Sequence, residues 1–96
     1  MKLILHVTYH CASRENAEAF LKESNAAGIP DTTRAEEGCL AYDFFFPEKG
    51  SDLLLVEKWE SDELQAVHVT KDHIKKLQGI KAKYVESVTL EKFREA

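Results

Sequence analysis

GCLAYDFFFPEKGSDLLLVEKWE, residues 38–60, reads as two strands and the turn that joins them. Its first half, CLAYDFFF, is dense in aromatic residues that fit a pleated, half-buried surface. PEKGSD concentrates Pro, Gly, Ser and Asp, the residues of tight turns. LLLVEKWE then returns, so the pair is expected to form an antiparallel hairpin. In the returning strand Leu53, Leu55, Glu57 and Trp59 share one face, and Leu54, Val56, Lys58 and Glu60 the other. The first set is the more apolar and should meet the core. Glu57 is thereby aimed at an interior beside Trp59, where a carboxylate is costly unless it finds a partner. Tyr42 across the hairpin and a histidine from a helix are the candidates.

Outward from the hairpin, the pattern alternates between strand and helix. On the N-terminal side, KLILHVTYH alternates as a strand, with Leu3, Leu5, Val7 and Tyr9 on one face and Ile4, His6, Thr8 and His10 on the other. Ser13 suits a helix cap, and Ala17, Phe20 and Leu21 follow at helical spacing. Gly28 suits the end of that helix, Pro30 the first turn of a short second piece, DTTRAEE. On the C-terminal side Ser61 caps a helix whose stripe is Leu64, Val67 and His68. Thr70 is expected to cap another, with Asp72 near its start and an inner stripe of His73 or Ile74, Leu77 and Ile80. YVESVTLEKF is expected to be the last strand, with Val85, Ser87 and Thr89 alternating against Tyr84, Val88 and Leu90. The order, strand-helix-strand-strand-helix-strand, predicts an α+β fold. It is the ferredoxin-like βαββαβ arrangement, with helices on one face of a four-stranded antiparallel sheet. The other sheet face is only half apolar, a pattern that suits contact with a second copy.

With 96 residues there is room for a single domain, residues 1–96. The composition is globular, 44% hydrophobic and 31% charged. The formal net charge of -4, with basic residues scattered rather than blocked, argues against nucleic-acid binding. MKLILHVTYH is too short and too polar for a leader, and no apolar run approaches the ~18 residues of a membrane span. Two cysteines, Cys11 and Cys39, are expected to be reduced thiols of a cytoplasmic protein.

Four histidines and two cysteines invite a metal, but their spacing discourages one. His6 and His10 share a strand face ~13 Å apart, too far to hold one ion. His68 and His73 are separated by the break at Thr70, and no familiar ligand spacing results, so no metal is expected. Neither a nucleophile elbow nor a phosphate loop nor a dinucleotide fingerprint is present. What remains is Glu57, Trp59, His68 and His73 on core-facing segments. His73 lies near the start of its helix, and a neutral imidazole facing a pocket can both donate and accept a proton. The structural alternative is a set of hydrogen-bonded interior polar residues that fix strand to helix.

These residues carry a resemblance. Glu36-Glu37-Gly38-Cys39-Leu40-Ala41-Tyr42, then Glu57-x-Trp59-Glu60, then His68 and His73 together resemble the antibiotic biosynthesis monooxygenase domain. The resemblance spans the chain in element order, and its specific motifs run from residue 36 to about residue 77. It implies a homodimer whose sheets pack face to face as a dimeric α+β barrel, each protomer with a pocket between sheet and helices. It further implies oxidation of a quinol, an anthrone or a related electron-rich aromatic by molecular oxygen, with neither metal nor flavin. An anionic substrate can pass an electron to oxygen directly, so the protein need only deprotonate, orient and exclude water. On that implication His73 or His68 takes the proton and Glu57 orients a partner. Trp59, Tyr42 and Tyr9 would line the substrate pocket.

The same scaffold also carries haem-degrading enzymes and isomerases of a small phosphorylated signalling sugar, so fold alone does not fix the reaction. Haem degraders have a first-strand asparagine where Val7 stands, and an iron-binding histidine in the region of QGIKAK; both are missing here. An isomerase, or a non-catalytic dimer that binds a small molecule, remains as the alternative.

Overall fold

The structure, a computed structural model, describes residues 1–96. Four strands and four helices follow one another: β1 (Leu3–Cys11), α1 (Arg14–Ala26), α2 (Ile29–Arg34), β2 (Cys39–Phe45), β3 (Asp52–Trp59), α3 (Asp62–His68), α4 (Asp72–Tyr84) and β4 (Val85–Arg94). The strands form one sheet in the order β2-β3-β1-β4, and every neighbouring pair is antiparallel. This is the ferredoxin-like α+β fold, with each helical crossover divided into two pieces.

Alternation fixes which face is buried. Leu3, Leu5, Val7, Tyr9 and Cys11 of β1 are buried, as are Leu53, Leu55, Glu57 and Trp59 of β3. The register sets Tyr42 opposite Glu57 and Leu3 opposite Trp59. Ala17 and Phe20 of α1, Ile29 of α2, and Ile74, Leu77 and Ile80 of α4 complete the core. The edge strand β4 is almost wholly exposed: Val88 and Leu90 pair with the core-facing Tyr9 and Val7 yet remain open to solvent.

Local signals set the helix ends. Ser13 Oγ accepts the Asn16 amide, and Ser61 Oγ accepts the Leu64 amide. Gly28, at φ 74°, carries the chain from α1 into α2, where Pro30 stands in the first turn. Thr70 does not cap the last helix. Its hydroxyl donates back to the Val67 carbonyl, closing the turn after α3, and Lys71 is the cap residue, with no side-chain bond. Val67 also leaves the expected stripe and faces solvent, so only His68 of α3 is buried. Tyr84 ends α4 instead of opening β4. No helix is long and apolar enough to cross a membrane.

Candidate active site

Three side chains from separate elements meet above the end of the sheet. Glu36, in the connection between α2 and β2, accepts hydrogen bonds on one carboxylate oxygen from both histidines of the α3–α4 region. His68 Nδ1 lies 2.6 Å from Glu36 Oε2, and His73 Nε2 lies 2.9 Å from the same atom. His68 and Glu36 are almost closed off, at 6% and 9% side-chain exposure; His73 is the accessible member at 16%.

The chain builds this meeting from both sides. On one side Gly38 has φ 83°, and a Cβ there would lie 2.4 Å from the Leu64 side chain of α3. Glycine is therefore required both for the backbone conformation and for the close approach to α3. The Gly38 carbonyl accepts the Glu60 amide at 2.8 Å, tying the Glu36–Cys39 segment to the end of β3. Arg34 Nε donates to the Tyr42 carbonyl, tying α2 to β2. On the other side α3 ends at His68 and α4 begins at Asp72, and the turn between them brings the two rings to 6.1 Å.

Behind the cluster stands an aromatic wall. The Trp59 indole lies 4.7 Å from the His68 ring, centroid to centroid, and Tyr42 lies 6.1 Å from it. The partner of Glu57 is neither Tyr42 nor a histidine: the Trp59 indole N–H donates to Glu57 Oε1 at 2.9 Å, an exchange within one strand. Burial raises the Glu57 carboxyl above the ordinary carboxylate range, and the indole bond only partly offsets it. Burial likewise pushes the Tyr9 and Tyr42 hydroxyls well above their usual value, with the Glu57 charge adding to both and Tyr9 to Tyr42, so both stay phenols. The Cys39 thiol is pushed up to about 11 by burial, then by Glu57 and Glu36, and Cys11 is raised by burial and by Asp52. Both free cysteines are thus held in the protonated thiol form at neutral pH.

Of the residues singled out from sequence, His68, His73, Trp59, Tyr42 and Glu57 converge at this end of the sheet, while Tyr9 packs deeper, against Phe20. Trp59, Tyr42 and Tyr9 are exposed by only 0%, 2% and 5%, so the space expected between sheet and helices is filled by their own side chains. The largest surface hollow, about 390 Å³, is lined by Met1, Glu60, Ser61, Asp62, Glu63 and Arg94 and includes none of the site residues. A smaller one, about 190 Å³, runs along β2 and reaches Tyr42. Glu36 was given no role from sequence. Its signal was its place in the Glu-x-Gly-Cys run, where glycine marks a segment pressed against its neighbour. Spacing arguments confined to histidine and cysteine missed it, although His68, His73 and Glu36 put three ligand-type atoms within 4.8 Å of one another.

The family model of the antibiotic biosynthesis monooxygenases matches residues 3–79. The chain belongs to that family. No curated protein matches it. Among solved structures it is similar to a Bacteroides thetaiotaomicron protein described as a possible oxidoreductase. That match has 27% identity and a TM-score of 0.82, and covers 96% of this chain and 95% of that one. It is also similar to a Pseudomonas aeruginosa protein at 26% identity and TM-score 0.84, covering 99% and 94% of the two chains. A structure described as an antibiotic biosynthesis monooxygenase, at 20% identity and TM-score 0.83 over 98% of each chain, shares the fold. The residue run that suggested this family from sequence, Glu36 to His73, lies wholly inside the matched range.

Proposed function

We propose that this member of the family is a cofactor-independent monooxygenase that oxidises a quinol, an anthrone or a similar electron-rich aromatic with molecular oxygen. The supporting observation is the largely enclosed carboxylate shared by two imidazoles, one of them reachable from solvent. Because Glu36 can only accept when ionised, its bonds assign the N–H to Nδ1 of His68 and to Nε2 of His73. In the neutral ring that leaves His73 Nδ1 as the free lone pair, so this atom is the base. Glu36 fixes its tautomer and stabilises the imidazolium that forms, as an acid behind a catalytic histidine does.

For an anthrone-like substrate, His73 removes a proton from the methylene between the two aromatic rings, opposite the carbonyl. The carbanion, delocalised over the aromatic system, reduces O2. One oxygen atom stays on the carbon as a new carbonyl, and the other leaves as water with both methylene hydrogens. The substrate supplies all the electrons, so the balance needs no further reductant. Trp59 and Tyr42, which are almost wholly buried, act on this reading as the rigid backing of His68, and the substrate docks at the His73 edge. Glu57 acts at one remove, by fixing the Trp59 indole.

The half-apolar sheet face, with Ile4, Val56 and Phe93 among its residues, is the proposed seat of a second copy, closing a dimeric barrel. Light scattering that returns a monomer would sink that half of the reading. The two free thiols suit a reducing cytoplasm. The catalytic half is tested by oxygen uptake of metal-stripped, flavin-free protein with a panel of quinols and anthrones. Uptake is expected with the native chain and lost in His73→Gln. No uptake across the panel overturns it in favour of an isomerase or a small-molecule-binding dimer.

A further inference from the structure

We infer that Glu36, His68 and His73 form a binding site for one divalent transition cation of the zinc, nickel or copper kind, and that the bound ion switches off the turnover proposed above. The switch rests on that functional reading; the site itself does not.

Two carboxylates lie at this end of the sheet, Glu57 buried and Glu36 with its side chain largely closed off, and neither has a lysine or arginine partner. Glu36 meets only the two imidazoles, and Glu57 only the Trp59 indole. A buried negative charge without a permanent countercharge is costly. A divalent ion is the countercharge that this geometry can take. The donors are two imidazole nitrogens and one carboxylate oxygen, a set that suits zinc, nickel, copper or iron rather than calcium or magnesium, which prefer all-oxygen shells.

The spacing is close to what coordination needs. Donors bound at about 2.1 Å to one ion stand roughly 3.0–3.4 Å apart at adjacent positions and about 4.2 Å apart across it. Here the two nitrogens are 2.6 and 2.9 Å from the oxygen, and all three atoms lie within 4.8 Å. The carboxylate needs to swing back by a few tenths of an ångström and the rings to turn slightly inward. The three donors come from three segments already pinned together, so little further ordering is required. Three protein donors also leave a coordination position for water or another small ligand.

The consequence for turnover follows from ring chemistry. An ion on His73 Nε2 takes the nitrogen that donates to Glu36, so the ring's one remaining proton moves to Nδ1. That is the atom which must accept the substrate proton. The ion-bound ring has no lone pair left to act as base, and turnover stops until the ion is removed.

The test is calorimetric titration of chelator-stripped full-length protein with Zn2+, with Co2+ absorption as a probe of the donor set. One ion per chain, a rise in Tm on loading and visible Co2+ bands of nitrogen–oxygen coordination are expected. His73→Gln and Glu36→Gln, each checked for native circular dichroism, should lose saturable binding. His10→Gln, which alters the other histidine–carboxylate pair, should keep it. No saturable binding to the native chain, or binding that survives in both site variants, overturns the site. Oxygen uptake that falls with zinc occupancy and returns with chelator supports the switch, and uptake that persists on the loaded protein overturns it. Stripped protein that binds zinc but never consumes oxygen leaves the site standing and sinks the monooxygenase reading.

Discussion

The sheet carries a histidine–carboxylate meeting on each of its two sides, and they differ in almost everything but residue type. On the helix side His68 and His73 share Glu36, closed in by Trp59 and Tyr42. On the open side His10 Nδ1 lies 3.0 Å from Asp52, and its Nε2 lies 2.7 Å from the Thr89 hydroxyl. There Asp52 is 56% exposed and His10 34%. Water and salt screen such a pair, which contributes little. The same two groups in a closed setting interact in a lower dielectric and hold one geometry. Hydrogen-bond distance is therefore a poor guide to which pair can do chemistry; what surrounds the pair decides.

The strongest way to break this comparison is kinetic. His73→Gln is expected to cut oxygen uptake by about 10²–10⁴-fold, the usual contribution of a general base. His10→Gln should leave turnover per active site nearly unchanged. Equal losses in both would erase the distinction between the two sides.

Next comes the wall. Trp59→Ala removes a fully buried indole, together with the only hydrogen-bond donor to Glu57, and should cost roughly 3–5 kcal/mol in denaturant unfolding. A loss below about 1 kcal/mol would mean that Trp59 is not packed as described.

Gly38→Ala sharpens the comparison from the backbone side. It places a methyl group against Leu64 at a positive φ, and about 1–3 kcal/mol of destabilisation is expected. Leu64→Ala added to it should recover part of the loss, because the 2.4 Å contact with Leu64 Cδ1 goes while the 2.9 Å contact with Cβ and the strained φ stay. Strictly additive losses would show that the two residues do not touch.

The smallest effect concerns pH. Glu57 holds its proton more tightly in the folded chain than in the unfolded one, because burial disfavours its charge. The unfolded chain therefore loses this proton first as pH rises. Native stability falls from the ordinary carboxylate range up to the raised native one and stays lower above it. Glu57→Gln keeps an oxygen for the Trp59 N–H and removes the ionisation. Its Tm should exceed that of the native chain at neutral pH, with the gap narrowing towards acid pH. A variant that is less stable at neutral pH than at acid pH, relative to the native chain, would reverse the sign.

Much of the architecture was legible in the chain itself. The period-two alternation of Leu3 to Tyr9 and of Leu53 to Trp59 placed each residue on its correct face, because a strand has only two. Ser13, Gly28, Pro30 and Ser61 marked helix ends through chemistry that acts within a few residues. Thr70 failed as a cap because α4 has its cap one residue later, at Lys71, and the Thr70 hydroxyl turns back to donate to the Val67 carbonyl. The family pattern from Glu36 to His73 pointed to the right end of the sheet.

The sequence by itself thus determined the strand faces, the helix starts within a residue or two, and the family, while α2 ends at Arg34, three residues short of the expected DTTRAEE. The tertiary structure alone decided that Glu36 lies between two histidines 32 and 37 positions away, and that Glu57 pairs with Trp59 instead of Tyr42. It also decided that the open-side His10 stays near water while His68 is closed off and His73 keeps only a narrow opening. Periodicity and capping are interactions between near neighbours, so they leave marks at fixed spacings. A carboxylate shared between segments distant in sequence has no spacing to read. It exists only once packing has excluded the water that would otherwise bind each group separately.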